Sequence, residues 1–351
     1  MKKININNTE AIYEDNIGKE MEKVHSKIPY EMYDYNKPAA IDYRTEWFKG
    51  KKENRVVIYL LTNGCEWALS NGHGCTMCGH LAKQGNRRGV VDAVSLKEQF
   101  DSVVKSIDFA EYPLVNIYNN GSFLNENEIP IQIQKYILQK LTHISQIKQI
   151  VIESRPEYIT ESSIKSLREC INVEKLEIAI GLECVSDTIR IKSINKGFTL
   201  KTFERAVSYL GNIKFRSYVL LKPPFLKEKD AIEEAIRTIL YAFEMGAETV
   251  SLEACTVQRY TFVEQEYKAG KYSPAWLWSI IEVIKRTHKY GKVIIGLFKF
   301  YPSPQRVPFN CSKCSKTVME SIEKYNDTLN FEYLENLDCE CKKEWEKIIE
   351  L

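Results

Sequence analysis

From residue 55 onward, short runs of β-branched and aromatic residues alternate with longer stretches whose apolar positions recur at i, i+3 and i+4. The short runs predict seven strands, at 55–62, 112–118, 147–153, 176–183, 213–221, 247–253 and 292–300. Three intervening stretches, 94–110, 128–145 and 229–246, carry a helical repeat. Asp230 or a neighbour is a candidate cap for the last of these, and Gly246 a suitable stop. Strands alternating with helices pair in parallel through right-handed crossovers, which makes the chain α/β. The sheet is expected to curl into a full or partial barrel, with ligands at the C-terminal ends of its strands. The first 54 residues are polar, rich in tyrosine and without strong periodicity, and read as an extension wrapping the barrel. The chain thus divides into an extension (1–54), a β/α barrel (55–300) and a cysteine-rich segment (301–351).

Composition narrows the setting. No apolar run in the 351 residues approaches the ~18 that a membrane span needs. The opening MKKININNTEAIYEDNIGKEM lacks the apolar core of a secretory signal, so a cytoplasmic location is expected. Forty-nine basic and 47 acidic residues give a net charge of +2, which argues against a whole-surface grip on nucleic acid and leaves room for a local basic face. Ten cysteines is the unusual count. In a reducing compartment they do not form a disulfide framework, and seven of them fall into two close-spaced groups, as metal ligands do.

The first group lies in the loop after the first strand, TNGCEWALSNGHGCTMCGH, as Cys65, Cys75 and Cys78. Three thiolates without a fourth at hand suit a [4Fe–4S] cluster that leaves one iron open. Gly72, Gly74 and Gly79 let the backbone fold around it. A zinc site completed by His73 or His80, or chance thiols in a loop, are the alternatives. The second group, Cys311, Cys314, Cys339 and Cys341, makes a closed four-thiolate site able to staple a short tail. Zinc is the first choice there and a second iron–sulfur cluster the alternative, with Trp345 expected to pack over it. Cys170, Cys184 and Cys255 read as core thiols.

With these residues in view the chain resembles the radical S-adenosylmethionine (SAM) enzymes, and within them the branch of archaeosine synthase radical SAM subunits, related to the Elongator catalytic subunit. The resemblance rests on the cysteine loop, NNGSFLNENEIP, VIESRPEYIT, AIGLECVSDTIRIKSINKGF, VLLKPPFLKEKDAIEEAI, VQRYTFVEQEYKAGKYSPAWLWS and the terminal NCSKC…CEC, and runs from about residue 60 to the end. It implies a partial (β/α) barrel of the radical SAM type with a small metal-stapled C-terminal extension. It also places SAM contacts at the strand ends. Met77 would shield the cluster and adenine, the backbone near His80 would meet the adenine edge, and Asn120, Gly121 and Ser122 would take the SAM amine. Glu153 and Arg155 end the third strand, where a guanidinium suits the methionine carboxylate, and Glu183 ends the fourth, where it would accept the ribose hydroxyls. Lys196, Lys222, Glu253 and Gln258 fall at later strand ends and are candidates to line the substrate.

By this resemblance the activity is a lyase reaction in tRNA modification. A 5′-deoxyadenosyl radical would abstract hydrogen from a lysine borne on a modified deazaguanine, breaking a C–N bond. Lys49, Lys51, Lys52, Arg55, Arg87 and Arg88 would meet RNA phosphates, with a partner protein supplying further grip. Radical modification of a small molecule or peptide is the alternative.

Overall fold

Eight strands form one sheet in sequence order: β1 (Ala40–Phe48), β2 (Lys51–Tyr59), β3 (Leu114–Tyr118), β4 (Gln149–Ser154), β5 (Leu176–Glu183), β6 (Lys214–Leu221), β7 (Thr249–Ala254) and β8 (Lys292–Ile295). The computed structural model describes residues 17–29, 33–70, 73–80, 91–298 and 303–350. The seven expected strands are present as β2 to β8, and every neighbouring pair among them is parallel. Each crossover carries a helix: α1 (Ala93–Val104), α2 (Ile131–Thr142), α3 (Glu161–Cys170), α4 (Leu200–Leu210), α5 (Glu228–Glu244) and α6 (Leu277–Thr287). The sheet curls without β1 and β8 pairing, so the architecture is an α/β partial barrel.

Two local expectations change. Asp230 does not cap α5, whose N-cap position is Lys227 without a side-chain bond, whereas Gly246 takes a φ of +90° just past its end. The larger correction concerns residues 40–48, which are a full strand paired antiparallel to β2. Periodicity missed β1 because every second residue, Asp42, Arg44 and Glu46, is charged where an amphipathic strand would be apolar.

Those charges have partners inside the barrel. Glu46 receives Arg55 at 2.5 Å, Arg216 at 2.9 Å and Lys292 at 2.8 Å, and Arg216 also grips Glu177 at 2.9 Å. Burial opposes ionisation of Glu46, but Arg216, Arg55 and Lys292 outweigh it and hold the carboxyl far below the usual range. Glu46 thereby ties the β1 edge to β6 and β8 across the opening. The helix α7 (Ser315–Thr328) covers the β8 edge. Asn326 donates to the Ile295 carbonyl at 2.7 Å and accepts from its N–H at 2.9 Å, so a side chain does what a ninth strand would do. Asp327 of the same helix reaches back to Thr45 and Lys52.

Candidate active site

The cysteine loop leaves β2 and is held by the segments that follow β5 and β7 rather than by a core of its own. Thr76 donates its N–H to the Ile194 carbonyl at 2.9 Å and its hydroxyl to the Ser193 carbonyl at 2.8 Å. Asn195 donates to the Gly74 carbonyl at 2.7 Å, and the Trp67 indole donates to the Asn195 carbonyl at 2.8 Å. Gly197 has a φ of +78°, and a Cβ there would stand 2.4 Å from the Trp67 ring. The segment INKG is therefore a clamp on the loop. The loop's far end is fixed by Gln258, which accepts the Gly79 N–H at 2.6 Å.

A second anchor, Glu128, was absent from the sequence-derived candidates. Its buried carboxylate accepts four N–H groups: Glu66 backbone at 2.9 Å, Ser122 backbone at 2.7 Å, Asn119 side chain at 2.8 Å and Asn125 side chain at 3.1 Å. A Cβ on Gly121 would lie 1.9 Å from it, which explains the glycine in NNGS. In the sequence Glu128 stands in the polar run NENE ahead of α2, two residues from Glu126, with nothing to set it apart.

These anchors shape a cavity of about 790 Å³ at the C-terminal ends of the strands. Cys65, Cys75, Cys78, Met77, His80, Asn120, Gly121, Glu153, Arg155, Glu183, Lys196, Glu253 and Gln258 all line it. Two candidates do not. Ser122 is buried behind the wall, where its hydroxyl accepts the Arg155 N–H. Lys222 is buried in an ion pair with Glu228 at 2.5 Å, and its carbonyl accepts the Tyr272 hydroxyl. Of the expected core thiols, Cys170 and Cys184 are buried away from the cavity, and Cys255 is buried in its wall.

Strain marks the rim. Asn120, Glu183 and Lys222, at the ends of β3, β5 and β6, all have positive φ (+54°, +62° and +56°), uncommon for residues with a side chain. A register shift between Gly181 and Glu183 re-aims the latter, which pairs with Lys196 at 2.7 Å. A Cβ on Gly181 would sit 2.6 Å from Glu183 and 2.7 Å from Lys196, so the glycine of GLE makes room for the pair. Arg155 is bound by Glu157 at 2.6 Å and the Lys196 carbonyl at 2.6 Å, between the rings of Trp67 and Phe198. Glu153 accepts the N–H groups of Asn119 and Asn120 at 3.2 and 3.1 Å, yet burial dominates and pushes its carboxyl up to about 7. Deeper in, the hydroxyls of Tyr118 and Tyr218 meet at 2.9 Å.

The chemistry of the donor set fits an iron–sulfur cluster. Three thiols face one cavity, and burial pushes Cys65 up to about 11 and Cys78 up to about 12. They are not drawn together as ligands of a single ion: among the described residues, the tail cysteines are the one group whose ligand atoms all lie within 4.8 Å. In that tail site Cys311 stands 3.6 Å from Cys314 and 3.7 Å from Cys339, and Cys314 stands 3.6 Å from Cys341. Thiolates about 2.3 Å from one tetrahedral ion are about 3.8 Å apart, whereas a cubane spreads its ligands much farther. The Trp278 indole, not Trp345, donates to Cys341, at 3.4 Å; Trp345 donates to Ser279 instead.

Of the expected basic face, Lys49 lies over the Phe48 ring, and three others have carboxylate partners within the chain. Arg55 is buried on Glu46, Lys51 pairs with Glu53, and Lys52 pairs with Asp327. Arg87 and Arg88 lie outside the described residues. No described helix is long and apolar enough to cross a membrane.

No family model matches the chain. Among curated proteins, the archaeosine synthase subunit beta of Methanosarcina acetivorans is 33% identical over 343 residues, covering 95% of this chain and 96% of that protein. The archaeosine synthase subunit beta of Thermococcus kodakarensis is 31% identical over 306 residues, covering 86% and 93%. Among solved structures, the archaeal Methanocaldococcus infernus Elp3 with an N-terminal deletion is 14% identical with a TM-score of 0.48, covering 67% of this chain and 59% of that one. Streptococcus suis SuiB bound to S-adenosylmethionine is also 14% identical with a TM-score of 0.48, covering 68% and 49%.

Proposed function

The chain belongs to the archaeosine synthase subunit beta family, and from that premise we propose that it is a radical SAM lyase acting on a lysine-bearing deazaguanine in tRNA. Cys65, Cys75 and Cys78 would hold a [4Fe–4S] cluster. Cluster and SAM, when bound, supply the 5′-deoxyadenosyl radical that removes a hydrogen atom from the lysine side chain and leads to C–N cleavage. The chain's own residues do the positioning. Glu153 and the backbone at Asn120 and Gly121 would receive the SAM amine, and Glu183, oriented by Lys196, would receive the ribose. Arg155, stacked between Trp67 and Phe198, offers positive charge to the carboxylate. Met77 and the wall around it keep water away. The single observation that carries this reading is the convergence of all three thiols with Glu153, Arg155 and Glu183 on one cavity.

We further propose that the tail cysteines bind one zinc ion, on the strength of their 3.6–3.7 Å separations, and that it staples α7 over the β8 edge. Because Lys51, Lys52 and Arg55 are neutralised within the chain, a partner subunit supplies most of the RNA grip. The test is anaerobic incubation of reconstituted protein with SAM, reductant and lysine-bearing tRNA, with and without the partner, followed by mass analysis of the nucleosides. Conversion of the lysine adduct to the amidine base is the expected result. Unchanged adduct alongside 5′-deoxyadenosine formation would mean that the substrate is a different molecule.

A further inference from the structure

The carboxylates on the cavity wall are of two kinds. Glu183 is neutralised by Lys196, Asp42 by Arg44, and Glu46 by three cations. Among the described residues, Glu153 and Glu253 have no ion-pair partner, and the only hydrogen bond to the Glu253 side chain is from the Ser251 hydroxyl, at 2.7 Å. The space around Glu253 is built: a Cβ on Gly296, just beyond β8, would stand 2.0 Å from its second oxygen. Ionising a carboxyl set into such a wall with one neutral donor is costly, and a cation brought by a ligand offsets that cost.

Glu153 is on β4 and Glu253 on β7, three inter-strand steps apart, roughly 14 Å along the curved wall. Glu153 is bonded to Asn119 and Asn120 beside the cysteine loop, so it belongs with the SAM amine. Glu253 is left for the substrate. We propose that Glu253 is the substrate-binding residue that receives the free α-ammonium of the amino acid carried by the substrate. This rests on the lyase reading above, in which the lysine is joined to the base through its side-chain nitrogen and keeps its α-ammonium. Once that charge is seated on β7, the side chain is free to extend across the cavity toward the cysteine side.

The test compares the parent with Glu253→Gln and Glu253→Asp, on lysine-bearing tRNA and on the same tRNA acetylated at the α-amine. Acetylation should raise the parent's KM roughly tenfold to a hundredfold, the worth of one charge-assisted hydrogen bond. Glu253→Gln should raise KM for the unmodified tRNA by a similar factor and be nearly indifferent to acetylation, while Glu253→Asp should recover part of the discrimination. A Glu253→Gln protein that discriminates as well as the parent overturns the proposal. Calorimetric titration of L-lysine into the proteins separates this from failure of the lyase reading, since it needs no turnover. Parent binding at least tenfold tighter than Glu253→Gln supports the ammonium site even if tRNA is not converted, and equal binding overturns it.

Discussion

Glu128→Gln tests whether the cavity is held from behind, as the hydrogen bonds indicate. Each carboxylate oxygen accepts two N–H groups: Glu66 and Asn125 on one, Ser122 and Asn119 on the other. An amide has the same shape but turns one oxygen into an NH2 group. Whichever way it lies, two buried donors then face a donor. At about 1–3 kcal/mol for each unsatisfied buried donor, the expected loss is about 2–6 kcal/mol. Urea unfolding of the metal-loaded protein, read as a fall in midpoint at unchanged slope, measures it. The exposed neighbour Glu126→Gln is the control and should change stability by less than about 0.5 kcal/mol. Because Glu66 follows Cys65 and Ser122 belongs to the NNGS loop, iron content after reconstitution should fall together with stability. A loss below about 1 kcal/mol with full iron content would refute the anchoring role.

Further outcomes follow from the charges and the tail. The Glu153 carboxyl is raised to about 7, so below that pH it is largely protonated and a bound ammonium must expel the proton. SAM binding should therefore tighten roughly tenfold between about pH 5.5 and 7, with proton release visible as a buffer-dependent heat, and Glu153→Gln should flatten the profile. Cys65 and Cys78 are raised to about 11 and 12 by burial, so cluster assembly must displace protons and reconstitution should be less complete at lower pH. Glu46→Gln leaves three cations facing a neutral amide, and should cost about 3–5 kcal/mol by urea unfolding. Stripping metal from the tail should release Asn326 from Ile295 and speed hydrogen exchange at the Ile295 amide, whereas unchanged protection would show that α7 holds without the staple.

The parallel strands were legible because each is a short β-branched run between amphipathic helices, and the cysteine spacing marked the loop that carries the site. What stayed hidden was polar structure that periodicity cannot register. β1 alternates charged with other residues, since Glu46 meets Arg55, Arg216 and Lys292, and Asp42 and Arg44 meet each other, rather than a core. Lys222 looked like Lys196 in the sequence, at a strand end before a turn, but Glu228 on α5 draws it out of the cavity, and only the fold brings that partner to it. Gln258 lines the cavity as expected, yet it also secures Gly79 of a loop 179 residues earlier. Glu128 and the INKG clamp act on the site through loops distant in sequence, so only the folded chain shows what they hold.

The central claim is that Cys65, Cys75 and Cys78 hold a redox-active cluster against SAM. Anaerobic reconstitution with iron and sulfide, followed by SAM and a strong reductant, tests it most directly by quantifying 5′-deoxyadenosine. The account predicts iron–sulfur absorbance and 5′-deoxyadenosine from the parent chain, and neither activity nor a full iron complement from Cys75→Ala. A parent chain that takes up no cluster, or a Cys75→Ala protein that cleaves SAM equally well, would contradict it.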